Sequence, residues 1–268
     1  MSKYWAIFRT QLGNNLAYPV DLFSRSLSIL IFLWIFGQLW RATFRAATGC
    51  EGACTDQLML GLTLKDTLWY LMLAETIVLS KPRLAQAIAT SVKDGSIAYL
   101  LNKPYNYILY QGSVGLGDSV LHLLFNLLMG GSLVWFMVGP PPHPSGWPLV
   151  MISVAMAWLI DYCITTMIGL LAFLTEDVTA FEWIYQKILF LLGGLLIPLD
   201  FYPAWLQDIA RRLPFYYTVY GPARFFVDSS PDRFIGLFSG QLGWLLILGS
   251  GVAMMYWRGI RWLSINGG

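Results

Sequence analysis

Charged residues are scarce in this sequence. Only 12% of the 268 residues are Asp, Glu, Lys or Arg, and 57% are hydrophobic. A typical soluble domain carries about 25% charged residues, so the composition excludes such a domain and predicts an integral membrane protein. The formal net charge is only +2, and nothing in it favours nucleic-acid binding. Aromatic residues make up 16% of the chain. This is typical of a membrane protein with a belt of aromatic side chains at each membrane–water interface.

Residue types that carry catalytic or metal chemistry are equally few. The two histidines, His122 and His143, lie in an apolar run and in a Pro-rich loop, so we expect no metal site. There is no Gly-Lys dipeptide and therefore no phosphate-binding P-loop. No nucleophile–base pair stands out. We expect no catalytic residue, no cofactor bound by this chain, and no ATP hydrolysis by this chain alone.

The sequence has three cysteines. Cys163 lies inside an apolar run and is expected to be a packed thiol. Cys50 and Cys54 lie in a polar loop without the further ligands that a metal needs. We predict a disulfide between them if that loop faces an oxidising compartment. Two free thiols in unreduced peptides, detected by mass spectrometry, would contradict it.

Six apolar runs approach the length of about 20 residues that a membrane-crossing helix needs. They cover residues 20–40, 58–79, 113–138, 149–174, 183–197 and 237–257, and the fifth is short. We therefore predict an all-α polytopic membrane protein with six transmembrane helices in a single domain, residues 1–268. Within residues 1–19, Tyr4, Trp5 and Phe8 share one side of an amphipathic segment, which predicts an interfacial helix.

A charged and polar island, residues 81–107, separates the second run from the third. Its first part has helical periodicity, with Leu84, Ile88 and Val92 on one side and Lys93 and Asp94 away from it. An amphipathic helix between two spans must lie in the membrane interface or dock on a partner. Both interpretations stay open from these residues alone.

The distribution of Lys and Arg predicts the orientation. With the N-terminus inside, nine Lys and Arg lie on the inner side and six on the outer side. This is a weak positive-inside bias, and we predict that both termini and the island are cytoplasmic. The loop with Cys50 and Cys54 then lies outside.

The loop between the last two runs, residues 198–235, contains several prolines spaced along its length. Trp205 and Ile209 lie on one face of a short amphipathic helix within it, and Tyr216 and Tyr217 belong to an aromatic cluster. The pattern predicts a re-entrant segment in the outer leaflet, whose irregular backbone needs cover from protein or water.

Charges within the apolar runs are candidates for function because their burial is costly. Asp161 lies near the middle of the fourth run, too deep to reach the headgroups. It needs an interhelical partner or a water-lined cavity, so both a structural role and a place in the transport path stay open. Asp118 is a second candidate for the path. Lys187 is expected to snorkel or to pair with a nearby glutamate. Lys65, Asp66 and Glu75 are further charges in the second run.

Four short stretches carry a resemblance to a known family. They are DGSIAYLLNKP at 94–104, LPFYY at 213–217 followed by Gly-Pro at 221–222, QLGW at 241–244, and the terminal Gly-Gly. Together with the order of elements, they resemble an ABC type-2 exporter permease over essentially the whole chain, and more narrowly the bacterial branch with paired permease genes. The pair Cys50/Cys54 and the Lys65-Asp66 dipeptide depart from that pattern.

The resemblance implies an assembly of two permeases and two ATPases in the bacterial inner membrane. The partners would be an ABC ATPase subunit dimer, which binds ATP and Mg, a second copy or a paralogous permease, and membrane lipid. The assembly would export or flip an amphipathic or lipid-like substrate. The helix with Leu84, Ile88, Val92, Lys93 and Asp94 would match the family's coupling helix, and Trp205, Ile209, Tyr216 and Tyr217 its outer gate.

Two other classes compete with this interpretation. A membrane-embedded lipid-modifying enzyme would need a catalytic cluster at the interface, and none is visible in the sequence. An ion-coupled secondary transporter often has broken spans in related halves, and no such pair is evident. Co-purification of an ATPase subunit separates the three classes.

Overall fold

The computed structural model describes residues 2–49, 58–143, 146–175 and 177–266, which are helical over most of their length. Cys50 and Cys54 lie outside these residues, so the predicted disulfide stays a prediction. The helices are α1 Ser2–Ala17, α2 Pro19–Thr48, α3 Leu64–Leu79, α4 Leu84–Lys93, α5 Ser96–Leu101, α6 Tyr107–Val138, α7 Trp147–Leu170, α8 Thr179–Leu192, α9 Ala204–Arg212, α10 Gly221–Val227 and α11 Pro231–Asn266. The described residues also contain short 3-10 turns at Leu171–Phe173 and Leu199–Phe201 and a π-helical turn at Tyr216–Tyr220. The predicted all-α class is confirmed.

Four helical segments among the described residues are long and apolar enough to cross a membrane. They are Leu22–Thr48, Tyr107–Val138, Trp147–Phe173 and Pro231–Gly259. They overlap the predicted first, third, fourth and sixth runs, and each extends beyond the predicted run at one end or both. The chain is therefore a membrane protein with several apolar helices.

The helix in the second predicted run is shorter than expected. It begins at Leu64, not Leu58, because Thr63 and Asp66 form a capping box in which each side chain accepts a hydrogen bond from the other's backbone N–H. Its 16 residues span about 24 Å at 1.5 Å per residue. Twelve of them are buried, and α2, α6 and α10 pack around the helix. As a result, α3 forms the centre of the core.

The fifth predicted run also yields a short helix. α8 has 14 residues, which span about 21 Å, and it ends at Leu192 before two glycines. The carbonyl of Gly194 accepts a 2.6 Å hydrogen bond from the buried Tyr70 hydroxyl of α3. This bond ties the non-helical end of the run to the core.

The two ends of the bundle carry different features. At one end, called the α4 end below, the start of α6 meets the last part of α11, where Tyr107 and Tyr256 stack with centroids 6.5 Å apart. At the other, called the α9 end, Trp69 of α3 donates a hydrogen bond to the Gly139 carbonyl after α6. The rings of Trp147 and Phe226 also meet there, with centroids 5.6 Å apart.

The predicted amphipathic N-terminal segment is a helix, and it packs against α6. A Cβ atom at Gly117 would lie 2.8 Å from the Gln11 side chain, so the two helices approach closely at this glycine. Lys3 donates a hydrogen bond to the Pro104 carbonyl, and the backbone N–H of Asn106 donates one to the Tyr4 hydroxyl. α1 is thus fixed to the start of α6 at the α4 end.

Candidate functional site

A buried ion pair joins the island to the helix bundle. The Lys81 ammonium, two residues after α3, lies 2.5 Å from a carboxylate oxygen of Asp161 on α7. The side chains are only 14% and 3% exposed, respectively. The interhelical partner that Asp161 required is therefore a lysine at the beginning of the island. From the sequence, Lys81 counted only as one of the inner-side charges. No local pattern links it to Asp161, because 80 positions separate the two residues.

A third element, α8, also contacts this carboxylate. The hydroxyl of Tyr185, a buried residue of α8, donates a hydrogen bond to the same Asp161 oxygen. The Lys81 ammonium lies 5.6 Å from the centroid of the Tyr185 ring. One carboxylate thus links α7, α8 and the α3–α4 connection, and this geometry favours a structural role for Asp161. We call Lys81, Asp161 and Tyr185 the buried junction.

The helix that follows Lys81 packs against the end of α7. A Cβ atom at Gly169 would lie 2.9 Å from Ile88 Cβ and 3.3 Å from Ala85 Cα, so only a glycine allows this approach. Leu84 and Ile88 are buried in a cluster with Ile97 and Tyr107. The predicted helix at 84–94 is confirmed as α4. Gly95 ends it with a positive φ of 74°, which glycine adopts without strain.

This packing limits how α4 could dock on a partner. A docking helix that used its apolar side would place Leu84, Ile88 and Val92 against the partner, but Leu84 and Ile88 are already buried within the chain. Val92 is half-buried at the edge of the same cluster. The face that remains available to a partner is polar, with Gln86, Thr90, Lys93 and Asp94 exposed. The docking role itself stays a prediction.

Acidic and hydroxyl groups surround the exposed end of α4. Hydrogen bonds from Ser96 lower the pKa of Asp94, whose carboxylate accepts the Ser96 backbone N–H at 2.9 Å. Hydrogen bonds from Thr179 lower the pKa of Asp177, and the charge of Lys93 lowers it further. Lys93 is therefore close to the turn between α7 and α8. This places α4 beside a negatively charged turn at the α4 end.

Asp118, the second candidate for the transport path, contacts the N-terminal helix. Its carboxylate accepts a 3.1 Å hydrogen bond from the Asn15 side chain. It also lies 3.7 Å from Nδ1 of His122 one turn later. Asp118 and Asp161 lie in separate clusters with different partners, so the structure does not bring these two candidates together.

An apolar cavity lies beside the buried junction. It has a volume of about 310 Å³ and lies between α3, α6 and α7. Lys81, Ser80 and Ser119 are the polar residues of a lining that is otherwise apolar, with Trp158 and Leu123 among the large side chains. Because Lys81 is part of its lining, the cavity lies next to the Lys81–Asp161 pair.

The four predicted gate residues occupy two adjoining elements at the α9 end. Trp205 and Ile209 lie exposed on α9, as the predicted amphipathic helix requires. Tyr216 and Tyr217 lie in the π-helical turn, with ring centroids 5.0 Å apart. The turn packs against α9. Tyr216 and Tyr217 are half-buried, whereas Trp205 and Ile209 are exposed.

Three other charges in the apolar runs, Asp66, Lys187 and Glu75, have local explanations or lack a partner. Asp66 caps α3, and the Thr63-x-x-Asp66 spacing was the signal that sequence reasoning missed. Lys187 lies over the rings of Trp183 and Phe190, at 5.4 and 5.6 Å from the ammonium to the centroids. Glu75 is buried, and its Oε2 atom has no hydrogen-bond partner within the described part of the chain.

Among the described residues, no group of three His, Cys, Asp or Glu side chains is arranged to hold a metal ion. The expected absence of metal and cofactor sites in the whole chain stays a prediction.

Comparison with known proteins places most of the chain in one family. A family model described as an ABC-2 family transporter protein matches residues 56–267. No curated protein matches the chain. The matched region contains the buried junction, α4 and both gate elements.

Proposed function

This chain belongs to the ABC-2 family of transporter proteins, and we propose that it is the permease subunit of an ATP-driven exporter in a bacterial inner membrane. ATP would be hydrolysed by a separate ABC ATPase dimer, with its Mg ion, and a second copy or a paralogous permease would complete the pathway. The substrate would be amphipathic or lipid-like and would move outward.

In this proposal six helices cross the membrane: α2, α3, α6, α7, α8 and α11. The short α3 and α8 are supported by neighbouring helices and by the non-helical residues that extend them, since irregular backbone is tolerated at membrane depth where protein covers it. The α4 end would be cytoplasmic, together with both chain termini. The α9 end would be outside, with residues 198–235 as the re-entrant segment.

The observation that supports coupling to an ATPase is the attachment of α4 to the bundle. α4 follows Lys81 directly, and Lys81 is bound to Asp161 inside the bundle. The close contact between Ile88 and Gly169 fixes the same helix to α7. A displacement of α4 by an ATPase would therefore be transmitted to α7 and, through Tyr185, to α8.

The contact with the ATPase would use the polar face of α4. Lys93 is exposed there and carries a charge that an acidic surface on the ATPase would attract, which favours specificity and a high association rate. The apolar residues Leu84 and Ile88 would act indirectly by holding the helix in place.

Co-purification with the ATPase tests the proposal. The tagged chain is co-expressed with the candidate ATPase subunit, and the ratio of the two bands is measured for the wild type, for Lys93→Glu and for Arg212→Glu. Arg212 is exposed on α9 at the opposite end, so it controls for charge reversal itself. We expect Lys93→Glu to lower the ATPase band and Arg212→Glu to leave it unchanged.

Failure of the wild-type chain to retain any ATPase would contradict the proposed function. An equal loss with both variants would contradict the α4 contact but not the assembly. Val92→Asp is a poor probe, because Val92 packs at the edge of the internal cluster and a charge there disturbs the fold of the chain.

One observation favours an ion-coupled transporter as a second candidate. Glu75 is a buried carboxyl group without a described partner for one oxygen, and such groups occur in proton pathways. That function requires uptake or release driven by a pH gradient without ATP. Transport by proteoliposomes that strictly needs ATP, and that Glu75→Gln leaves unchanged, would exclude it.

A further inference from the structure

A polar cavity occupies the α9 end, away from the buried junction. Its volume is about 460 Å³, and its walls come from α9, the π-helical turn, α10 and the start of α11. The charged and hydroxyl side chains of the lining include Asp200, Arg211, Arg224, Arg233, Tyr216 and Tyr217. Three of these are arginines and only one is acidic, so the lining itself has a net charge of +2.

The carboxylates near the cavity are already engaged. Asp200 accepts a 2.9 Å hydrogen bond from the Tyr220 hydroxyl and lies 3.4 Å from Arg224 Nε. Asp228, outside the lining, lies 2.7 Å from a guanidinium nitrogen of Arg233 and 3.9 Å from Arg224. These contacts partly neutralise Arg224 and Arg233, and neither carboxylate pairs with Arg211.

Hydrogen-bond donors therefore exceed acceptors in this cavity. The Arg211 guanidinium bonds to the Gln207 amide oxygen, and no described carboxylate lies within 4.0 Å of it. The hydroxyls of Tyr216 and Tyr217 have no hydrogen-bond partner among the described residues. Arg211, Arg233 and Tyr216 line the same cavity, so two guanidinium groups and this hydroxyl face one volume.

We infer that this cavity binds the phosphate head group of an amphiphile. Arginine forks bind phosphate oxygens in pairs, and charge-assisted bonds of this kind are the strongest that proteins make. The two free tyrosine hydroxyls add donors, and the exposed parts of the arginines give the head group access. The inference deepens the proposed function and rests on it for the identity of the ligand as transport substrate.

The surroundings of the cavity favour an amphiphile over a free anion. Leu237 and the tyrosine rings form an apolar part of the wall. The large side chains of Trp205 on α9 and Ile235 on α11 are 64% and 66% exposed next to the lining segments. An acyl or prenyl chain attached to the phosphate would find apolar surface immediately outside the cavity.

Ligand binding to the purified full-length chain in a neutral maltoside detergent tests this inference. The probes are dihexanoyl phosphatidylglycerol, dihexanoyl phosphatidylcholine and inorganic phosphate, and the Kd is measured by microscale thermophoresis. We expect phosphatidylglycerol to bind more tightly than phosphatidylcholine, whose choline repels the arginines. Millimolar phosphate should not displace the bound lipid.

Two arginine variants separate the site from general charge effects. Arg211→Gln should raise the Kd for phosphatidylglycerol about tenfold, because one charged hydrogen-bond donor is lost. Arg212→Gln, the next residue on α9 and outside the lining, should change it by less than about twofold on the same scale. Arg211 is exposed, so the variant should fold, and size-exclusion elution verifies this. Arg233→Gln is the second variant for the same comparison.

Each alternative result overturns a defined part of the inference. Equal binding by the wild type, Arg211→Gln and Arg233→Gln would show that the cavity is not the lipid site. Displacement of the lipid by phosphate with matching affinity would identify a free-anion site instead. The measurement needs no ATPase, so a positive result stands even if the co-purification test of the proposed function fails.

Discussion

The Lys81 ammonium and the Asp161 carboxylate lie 2.5 Å apart, although 80 positions separate the residues in the sequence. Breaking a buried pair by removing one partner typically costs about 3–5 kcal/mol, because the remaining charge is left uncompensated. The pair therefore makes the position of the island dependent on α7. It also makes the stability of the bundle sensitive to the residue that leads into α4.

A double-mutant cycle tests this dependence. We expect Lys81→Met and Asp161→Leu each to lower the free energy of unfolding by about 3–5 kcal/mol. The double variant should lose clearly less than the sum, since it leaves no unpaired charge. Asp161→Asn should be milder than Asp161→Leu, because the amide oxygen still accepts hydrogen bonds. Unfolding in mixed micelles gives the energies, and strict additivity would contradict the pair.

The Tyr185 hydroxyl contributes separately to the same carboxylate. Tyr185→Phe keeps the buried ring and removes only the donor to Asp161, so we expect a loss of about 1.5–3 kcal/mol, as for hydrogen bonds to charged groups. Tyr162→Phe is the matched control, because the Tyr162 hydroxyl donates to the neutral Ile108 carbonyl. The control should lose only about 0.5–1.5 kcal/mol. Equal losses would argue against a charged acceptor.

Gly169 permits the contact between α7 and α4. Gly169→Ala would place a methyl group 2.9 Å from Ile88 Cβ and 3.3 Å from the Ala85 backbone, and such overpacking costs about 1–3 kcal/mol. We expect a less stable chain that retains less ATPase. Gly243→Ala in α11 is the control, since nothing lies within 4 Å of its Cβ position. The control should be neutral or stabilising because alanine favours helices. Identical behaviour of the two variants would rule out the close contact.

The stability of the turn between α4 and α5 should decrease at acid pH. The Ser96 side-chain and backbone hydrogen bonds lower the pKa of Asp94, so the carboxylate form stabilises the folded turn. A lowered pKa gives stability that is full above the unfolded value and is lost as the pH falls through the folded value. That loss lies below about pH 3.9, the ordinary aspartate value. The stability difference between wild type and Asp94→Ala should shrink over this range, measured by unfolding at several pH values. A constant difference would contradict the prediction.

Much of this protein was predictable from its sequence because the signals are local. The shortage of charge and the long apolar runs predicted a membrane protein, and the helical class is confirmed. The amphipathic periodicity of residues 84–94 predicted α4 nearly to the residue, and the shared face of Trp205 and Ile209 predicted a short helix where α9 lies. These features follow from spacing along one helix, where neighbours in sequence are neighbours in space.

Only the tertiary structure decided which surfaces meet. Periodicity identified the apolar face of α4, but it could not tell whether that face binds a partner or the chain itself. The structure buries Leu84 and Ile88 against the chain's own cluster. The Lys81–Asp161 pair was likewise invisible to local patterns, because it depends on how α3, α4 and α7 pack. The sequence shows that Asp161 needs a partner, because an unpaired carboxylate within the membrane is costly. That the partner is Lys81 depends on how the helices pack.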